Sequence, residues 1–202
     1  MRMLSRFGNV VLAATLLLLG AGSGASIAGE KIVASSTQNP PPAVALSSYD
    51  RFEMAELAMD KPYAGQKVND KARDTLAVHV QGQVLPWVIE KNALAAKNEP
   101  PKLLRIEPRI DKIKTVSKAV RFWAGAMSGK SRVLVKVKLV DAASGDVIAE
   151  PEFYQHAGAM AGAYSMGGAD QGMLERVAGL VADYLRGNYE AAVGGRTGLP
   201  EK

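Results

Sequence analysis

Ala124-Gly-Ala-Met-Ser-Gly-Lys130-Ser131 has the spacing of a phosphate-binding loop: a small residue, four spacers, then Gly-Lys-Ser. In that chemistry backbone N–H groups cradle the phosphates, the lysine reaches the outer phosphates and the hydroxyl meets a magnesium ion. It requires a helix directly after the loop, because the free N–H groups of the helix start bind the anion. The residues that follow, Arg132 to Asp141, put Val133, Val135, Val137 and Leu139 at every second position. That period belongs to a strand and argues against a nucleotide site.

Metal chemistry is the next candidate. His156, Met160, Met166 and Met173 are the imidazole and thioether groups that suit copper(I). Methionine is also ordinary flexible packing material, so the cluster has a structural reading too. His79, the other histidine, sits one residue from an apolar helical stripe and reads as a border residue. Glu53 with Glu56, and Glu150 with Glu152, are carboxylate pairs that fit solvated strand faces better than an acid/base couple. No nucleophile elbow, histidine-rich metal motif or dinucleotide fingerprint is present, so the expectation is a protein without catalytic residues, metal or cofactor.

The elements that must carry these residues follow from periodicity. Tyr49 to Met59 reads as a first strand. Asn69 is a candidate N-cap for a helix to about Ala96, with Ala72, Leu76, Val80, Val84 and Val88 on its buried face. Gly82 and Pro86 predict a kink or break near Gly82. Trp87 is expected to pack this helix on the sheet. After a loop at Lys97 to Lys102, Leu104, Ile106 and Ile110 alternate along a strand from Leu103 to about Ser117. Pro108 places that strand at an edge, or bulges it. The strand after Ser131 turns at Asp141-Ala-Ala-Ser-Gly145-Asp146, and Val147 to Tyr154 returns beside it. Met173, Leu174, Val177, Leu180, Val181, Tyr184 and Leu185 trace a final helix, with Asp170 as N-cap and Gly187 at its C-terminal end. The order strand-helix-strand-strand-strand-helix implies an α+β domain: a mostly antiparallel sheet of about four strands with two helices on one face.

If the last three strands are antiparallel neighbours, the loops Lys118–Lys130 and Ala157–Ala169 emerge at the same end of the sheet. Both are rich in glycine and alanine and poor in charge; His156 sits at their junction, with positive charge beside it from Arg121, Lys130 and Arg132. Trp123, Met127, Lys130, His156, Met160, Tyr164 and Met166 are therefore the candidate contact residues for a partner or ligand, since loops on a rigid scaffold commonly carry binding.

Met1 to Ala28 reads as a secretory signal peptide. Arg2 and Arg6 form the positive region, Val10 to Leu19 the apolar region, and cleavage fits after Ala28 or Ala25. Cleavage takes the formal charge from +5 to +3, because two arginines and no acidic residue leave. That excess is too small to argue for nucleic acid. The chain has no cysteine, so disulfides and thiol chemistry are excluded, as is a lipid anchor on cysteine. The expected organisation is a signal peptide (1–28), a disordered Pro/Ser-rich tether (29–48), one α+β domain (49–190) and a disordered tail (191–202).

The run Val120 to Ala149, with its glycine-rich loop opening a strand that ends in Asp141-Ala142-Ala143-Ser144-Gly145, resembles a family of bacterial envelope proteins catalogued as domain of unknown function 4410. Many relatives look like lipoproteins, a feature this cysteine-free chain lacks. The resemblance implies a periplasmic binding or scaffold role, with no catalytic residues to carry over. The expected partner is another envelope protein or a second copy of the chain, with peripheral membrane contact but no nucleic acid. A small-ligand or copper(I)-binding protein is the alternative.

Overall fold

Val133, Val135, Val137 and Leu139 are completely buried, and the strand that carries them organises the sheet. The computed structural model describes residues 31–94, 100–116, 129–157 and 168–201. The signal-peptide reading of residues 1–28 lies outside them. Residues 31–202 form one compact unit.

In chain order the strands are β1 (Gln38–Asn39), β2 (Arg51–Met54), β3 (Ala58–Met59), β4 (Leu103–Lys114), β5 (Arg132–Asp141), β6 (Val147–Ala149), β7 (Glu152–His156) and β8 (Gly195–Arg196). The helices are α1 (Lys67–Leu94) and α2 (Gly168–Gly187). The main sheet has six strands, more than the four expected, because the first and last strands are each split in two. β2 and β3 flank β4 on one side, β5 lies on its other side, and β6 and β7 flank β5. The α+β class holds. The sheet is mixed, since β2 and β3 run parallel to β4 while β5, β6 and β7 pair antiparallel.

β4 is central and not at an edge, and Pro108 explains how. The Ile106 carbonyl accepts from the Ala55 N–H at 2.9 Å, so even-numbered residues of β4 aim their backbone groups toward β2 and β3. Pro108, with no N–H to offer, falls opposite the gap between Met54 and Ala58. The missing donor and the missing partner coincide. The expected irregularity occurs slightly later, as a register shift between Ile110 and Lys112. It reverses the alternation: Ile106 and Ile110 are buried before it and Ile113 after it, so Lys114 joins the outer face.

Both helices cover the inner face, against Phe52, Leu104, Ile106, Val135 and Phe153 among others. Ala72, Leu76, Val80, Val84 and Val88 are buried on α1 as their spacing predicts, and Trp87 packs on Phe52 with ring centroids 5.0 Å apart and the planes tilted by 59°. The predicted break near Gly82 does not occur: α1 continues through Pro86. Proline frees the carbonyl four residues earlier, which is that of Gly82, and both residues are exposed so water can satisfy it. Buried Val84, Trp87 and Val88 hold the helix to the core on the opposite face. Asn69 is not a cap. It lies in the first turn, buried, and donates to the Tyr63 carbonyl and the Gln66 side chain while accepting from the Thr115 hydroxyl at 2.6 Å. Asp170 likewise lies in the first turn of α2, two residues after its start.

The stretches read as tether and tail are ordered where described, and they close the sheet. β1 pairs with β8. The Asn39 amide exchanges two hydrogen bonds with the Glu152 backbone, at 2.7 and 2.8 Å, as a neighbouring strand would. The Tyr154 N–H donates to the Thr197 carbonyl at 2.7 Å. At the other side of the sheet the Asn92 amide does the same for the Phe52 backbone, at 2.8 and 2.9 Å. Composition alone signals a linker here, yet extended proline-containing chain lies readily along a sheet edge and blunts it.

The hairpin motif is structural. Asp141 accepts from the Ala143 N–H at 2.9 Å and the Ser144 N–H at 3.3 Å, and Gly145 takes a positive φ of 79°. The Ser144 hydroxyl accepts from the Asp146 N–H at 3.1 Å, a role threonine fills equally. The Ala143 N–H is the main cause that holds the Asp141 carboxyl below its ordinary range, aided by Ser144, the Tyr49 hydroxyl and Lys102 and opposed by burial. Its ionised form therefore stabilises the fold above about pH 4, and that contribution is lost as pH falls through the depressed value. Asp141→Asn is expected to melt at a lower temperature than wild type at pH 7 and to lose less on acidification. Thermal melts at the two pH values test this; parallel losses in both proteins would refute it.

Candidate functional site

β4 ends, β5 begins and β7 ends at one end of the sheet. Arg132 is paired with His156 in the β5–β7 ladder, and the Ala157 N–H donates to the Ser131 carbonyl at 2.9 Å. The roots of the two glycine-rich loops are thus hydrogen-bonded to each other, as the strand directions require. Trp123, Met127, Met160, Tyr164 and Met166 lie outside the described residues, so Lys130 and His156 are the two candidate contact residues the structure describes.

Ser131 does not serve a phosphate. It is fully buried, its hydroxyl accepts from the Val116 N–H at 3.0 Å, and β5 follows where a phosphate loop needs a helix. This clamp ties the chain just after β4 to the residue just before β5. Lys130, one residue earlier, is exposed after Gly129 with its φ of 76°.

His156 is half-buried on the outer face, its ring 6.1 Å from that of Tyr154. Burial, and then the charges of Lys130, Arg132 and Arg176, hold it below its ordinary value of 6.5. It is neutral at pH 7. Arg176 of α2 fastens the β7 end by donating to the His156 carbonyl at 3.0 Å and to the Gln155 side chain at 3.1 Å. Arg132 bonds the Tyr154 side chain.

The copper ligand set is not available as drawn from sequence. Met173 is completely buried in the helix–sheet core, where its helical period places it. Among the described residues no group of three or more His, Cys, Asp or Glu is placed to hold a metal ion. An open depression of about 270 Å³ lies on the outer face beside the β2–β3 gap. Glu56, Glu107 and Glu150 line it with Arg109, Lys136 and Lys138, so its charges cancel. No described helix is long and apolar enough to cross a membrane.

Sequence reasoning placed Lys130, Arg132 and His156 together but missed Lys114 and Arg176. Lys114 reaches the outer face only through the bulge in β4, and Arg176 comes from a helix on the inner face. Neither follows from spacing along one element.

A family model, the domain of unknown function DUF4410, matches residues 32–163. No protein of curated function matches the chain. Among solved structures, the PelC dodecamer from Paraburkholderia phytofirmans is similar at 14% identity with a TM-score of 0.35, over 69% of this chain and 91% of that one. Protein XCC0632 from Xanthomonas campestris is similar at 14% identity with a TM-score of 0.37, over 77% and 91%.

Proposed function

The chain belongs to the family of the domain of unknown function DUF4410, and on that footing we propose that it is an exported, non-enzymatic binding module of the cell envelope. Its contact surface is the end of the sheet from which the two glycine-rich loops leave. The observation that carries this reading is the hydrogen bond between the loop roots, from the Ala157 N–H to the Ser131 carbonyl. It brings two long, glycine- and alanine-rich sequences without an acidic residue to one place on a rigid scaffold, and such loops are where partners usually dock. The partner is another envelope protein or a second copy of the chain.

A photo-crosslinking residue introduced at Met127 or Met160 in cells tests the reading. The expected result is a discrete cross-linked species in the periplasmic fraction, lost from the Met127 probe when Met160-Ala161-Gly162 is replaced by charged residues. A chain found in the cytoplasm, or one that cross-links identically with and without the charged replacement, would overturn it.

A further inference from the structure

Between Asp111 and Asp141 the chain carries Lys112, Lys114, Lys118, Arg121, Lys130, Arg132, Lys136 and Lys138, and no carboxylate. The fold concentrates part of this run. Lys114 is the ladder partner of Arg132, and Arg132 is the ladder partner of His156. All three share the outer face, because Ile113, Val133 and Phe153 face the core. They form a transverse row of basic side chains on adjacent strands about 4.8 Å apart. Lys130 stands above the row and Arg176 curls in from α2, both close enough to bear on His156.

Like charges directly opposite one another destabilise a ladder. Farther along the same face the problem is solved internally: Lys136 pairs with Asp111 and Glu152, and Arg105 with Glu107. At the loop-root end it is not. Among the described residues Lys114, Lys130, Arg132 and Arg176 form no ion pair, and neither adjoining loop sequence, 115–131 or 157–169, contains an acidic residue. The helices add to the effect. Gln83 of α1 donates to the Glu175 carbonyl of α2, and Lys91 of α1 lies over the ring of Tyr189 just beyond α2, so the two helices run parallel. Both helix starts lie at this end, where each contributes about half a positive charge, partly offset by Asp70 and Asp170 in the first turns.

We propose that the cations of this end, Lys114, Lys130, Arg132 and Arg176, dock the protein on a bilayer surface of anionic, phosphate-bearing lipid headgroups. The inference rests on the reading of this end as the contact surface and names one chemistry it meets. A bilayer is favoured over a soluble anion by the adjoining sequences. They hold Phe122, Trp123, Met127, Met160, Tyr164 and Met166, the aromatic and apolar types that enter a membrane interface. Charge alone binds a membrane weakly, and a second, apolar signal makes the binding stable.

The test is partition of the protein, isolated from cells, between buffer and vesicles of phosphatidylcholine, with or without phosphatidylglycerol. The readout is the ratio between the two vesicle types, which an apolar segment alone leaves unchanged. The expected result is preference for phosphatidylglycerol, weakened at high salt as screening shortens. Each cation removed lowers the partition about 5-fold, so Lys130→Ala with Arg132→Ala lowers it about 25-fold. Arg105→Ala, at the far end of the sheet, leaves it unchanged, and melting curves certify that each variant folds. Equal partition into both vesicle types, or an unaltered ratio in the double variant, would overturn the proposal. So would displacement by millimolar inorganic phosphate, which would mark a free-anion site. If vesicle preference is absent while the Met127 and Met160 cross-links persist, the lipid inference fails and the binding-module reading stands.

Discussion

Phe153→Ala is expected to lower stability by about 3–5 kcal/mol, the cost of emptying a large aromatic site in a packed core. Phe153 is completely buried on the inner face of β7, with its ring centroid 5.9 Å from that of Tyr184 on α2. Its ladder partner Val135 and the whole α2 surface stay in place when the ring goes, so the cavity cannot collapse easily. For a domain of this size the loss corresponds to a drop in melting temperature of roughly 10 °C. Denaturant and thermal unfolding measure it directly. A loss below about 1 kcal/mol would mean that α2 is not seated on β7 as described.

Asn188→Ala is expected to cost about 3 kcal/mol through polar groups instead of volume. Asn188 follows α2 and is fully buried. Its amide donates to the Tyr184 carbonyl at 2.7 Å and the Gly194 carbonyl at 2.9 Å, and it accepts from the Val193 and Gly194 N–H groups, each at 2.8 Å. Alanine leaves these backbone groups to find water or go unsatisfied. The loop they fix must also hold Gly194 against the Asn39 carbonyl, where φ is positive and any side chain would collide. The damage should therefore travel. Hydrogen exchange at the Tyr154 N–H, which depends on Thr197, is expected to accelerate well beyond the global change. Exchange that tracks global stability alone would show that the 188–194 loop does not support the β7 edge.

Much of this architecture could be read in advance, and the failures share a cause. The alternation in β5, the stripe on α1 and the Asp141–Gly145 turn are local patterns that tertiary context did not override. What spacing does not report is the identity of a neighbour. Ile106 and Ile110 say which face of β4 is buried, not that a parallel partner lies on one side. Pro108 points to an edge until the gap at residues 55–57 is known. The proline-bearing stretch 40–42 lacks an apolar period because it meets the fold through its backbone, as when the Pro40 carbonyl accepts from the Tyr184 hydroxyl of α2 at 2.9 Å. The loop-root end was legible from strand direction alone, and its cation row was half legible. Arg132 and His156 follow from pairing and Lys130 from its place just before β5, whereas Lys114 depends on a one-residue bulge no periodicity marks.

The pairing of β1 with β8, and of Tyr154 with Thr197, also sets a schedule. A ribosome delivers residue 38 long before residue 196, so β1 waits for its partner while every residue between them is made. Until the last stretch arrives, β7 has an open flank and β1 no ladder, and the domain cannot close. Such a chain stays loose while it is being made and locks only once residues 195–197 are in place. A chain cut before Gly195 would keep its β7 flank open to any other unfinished copy.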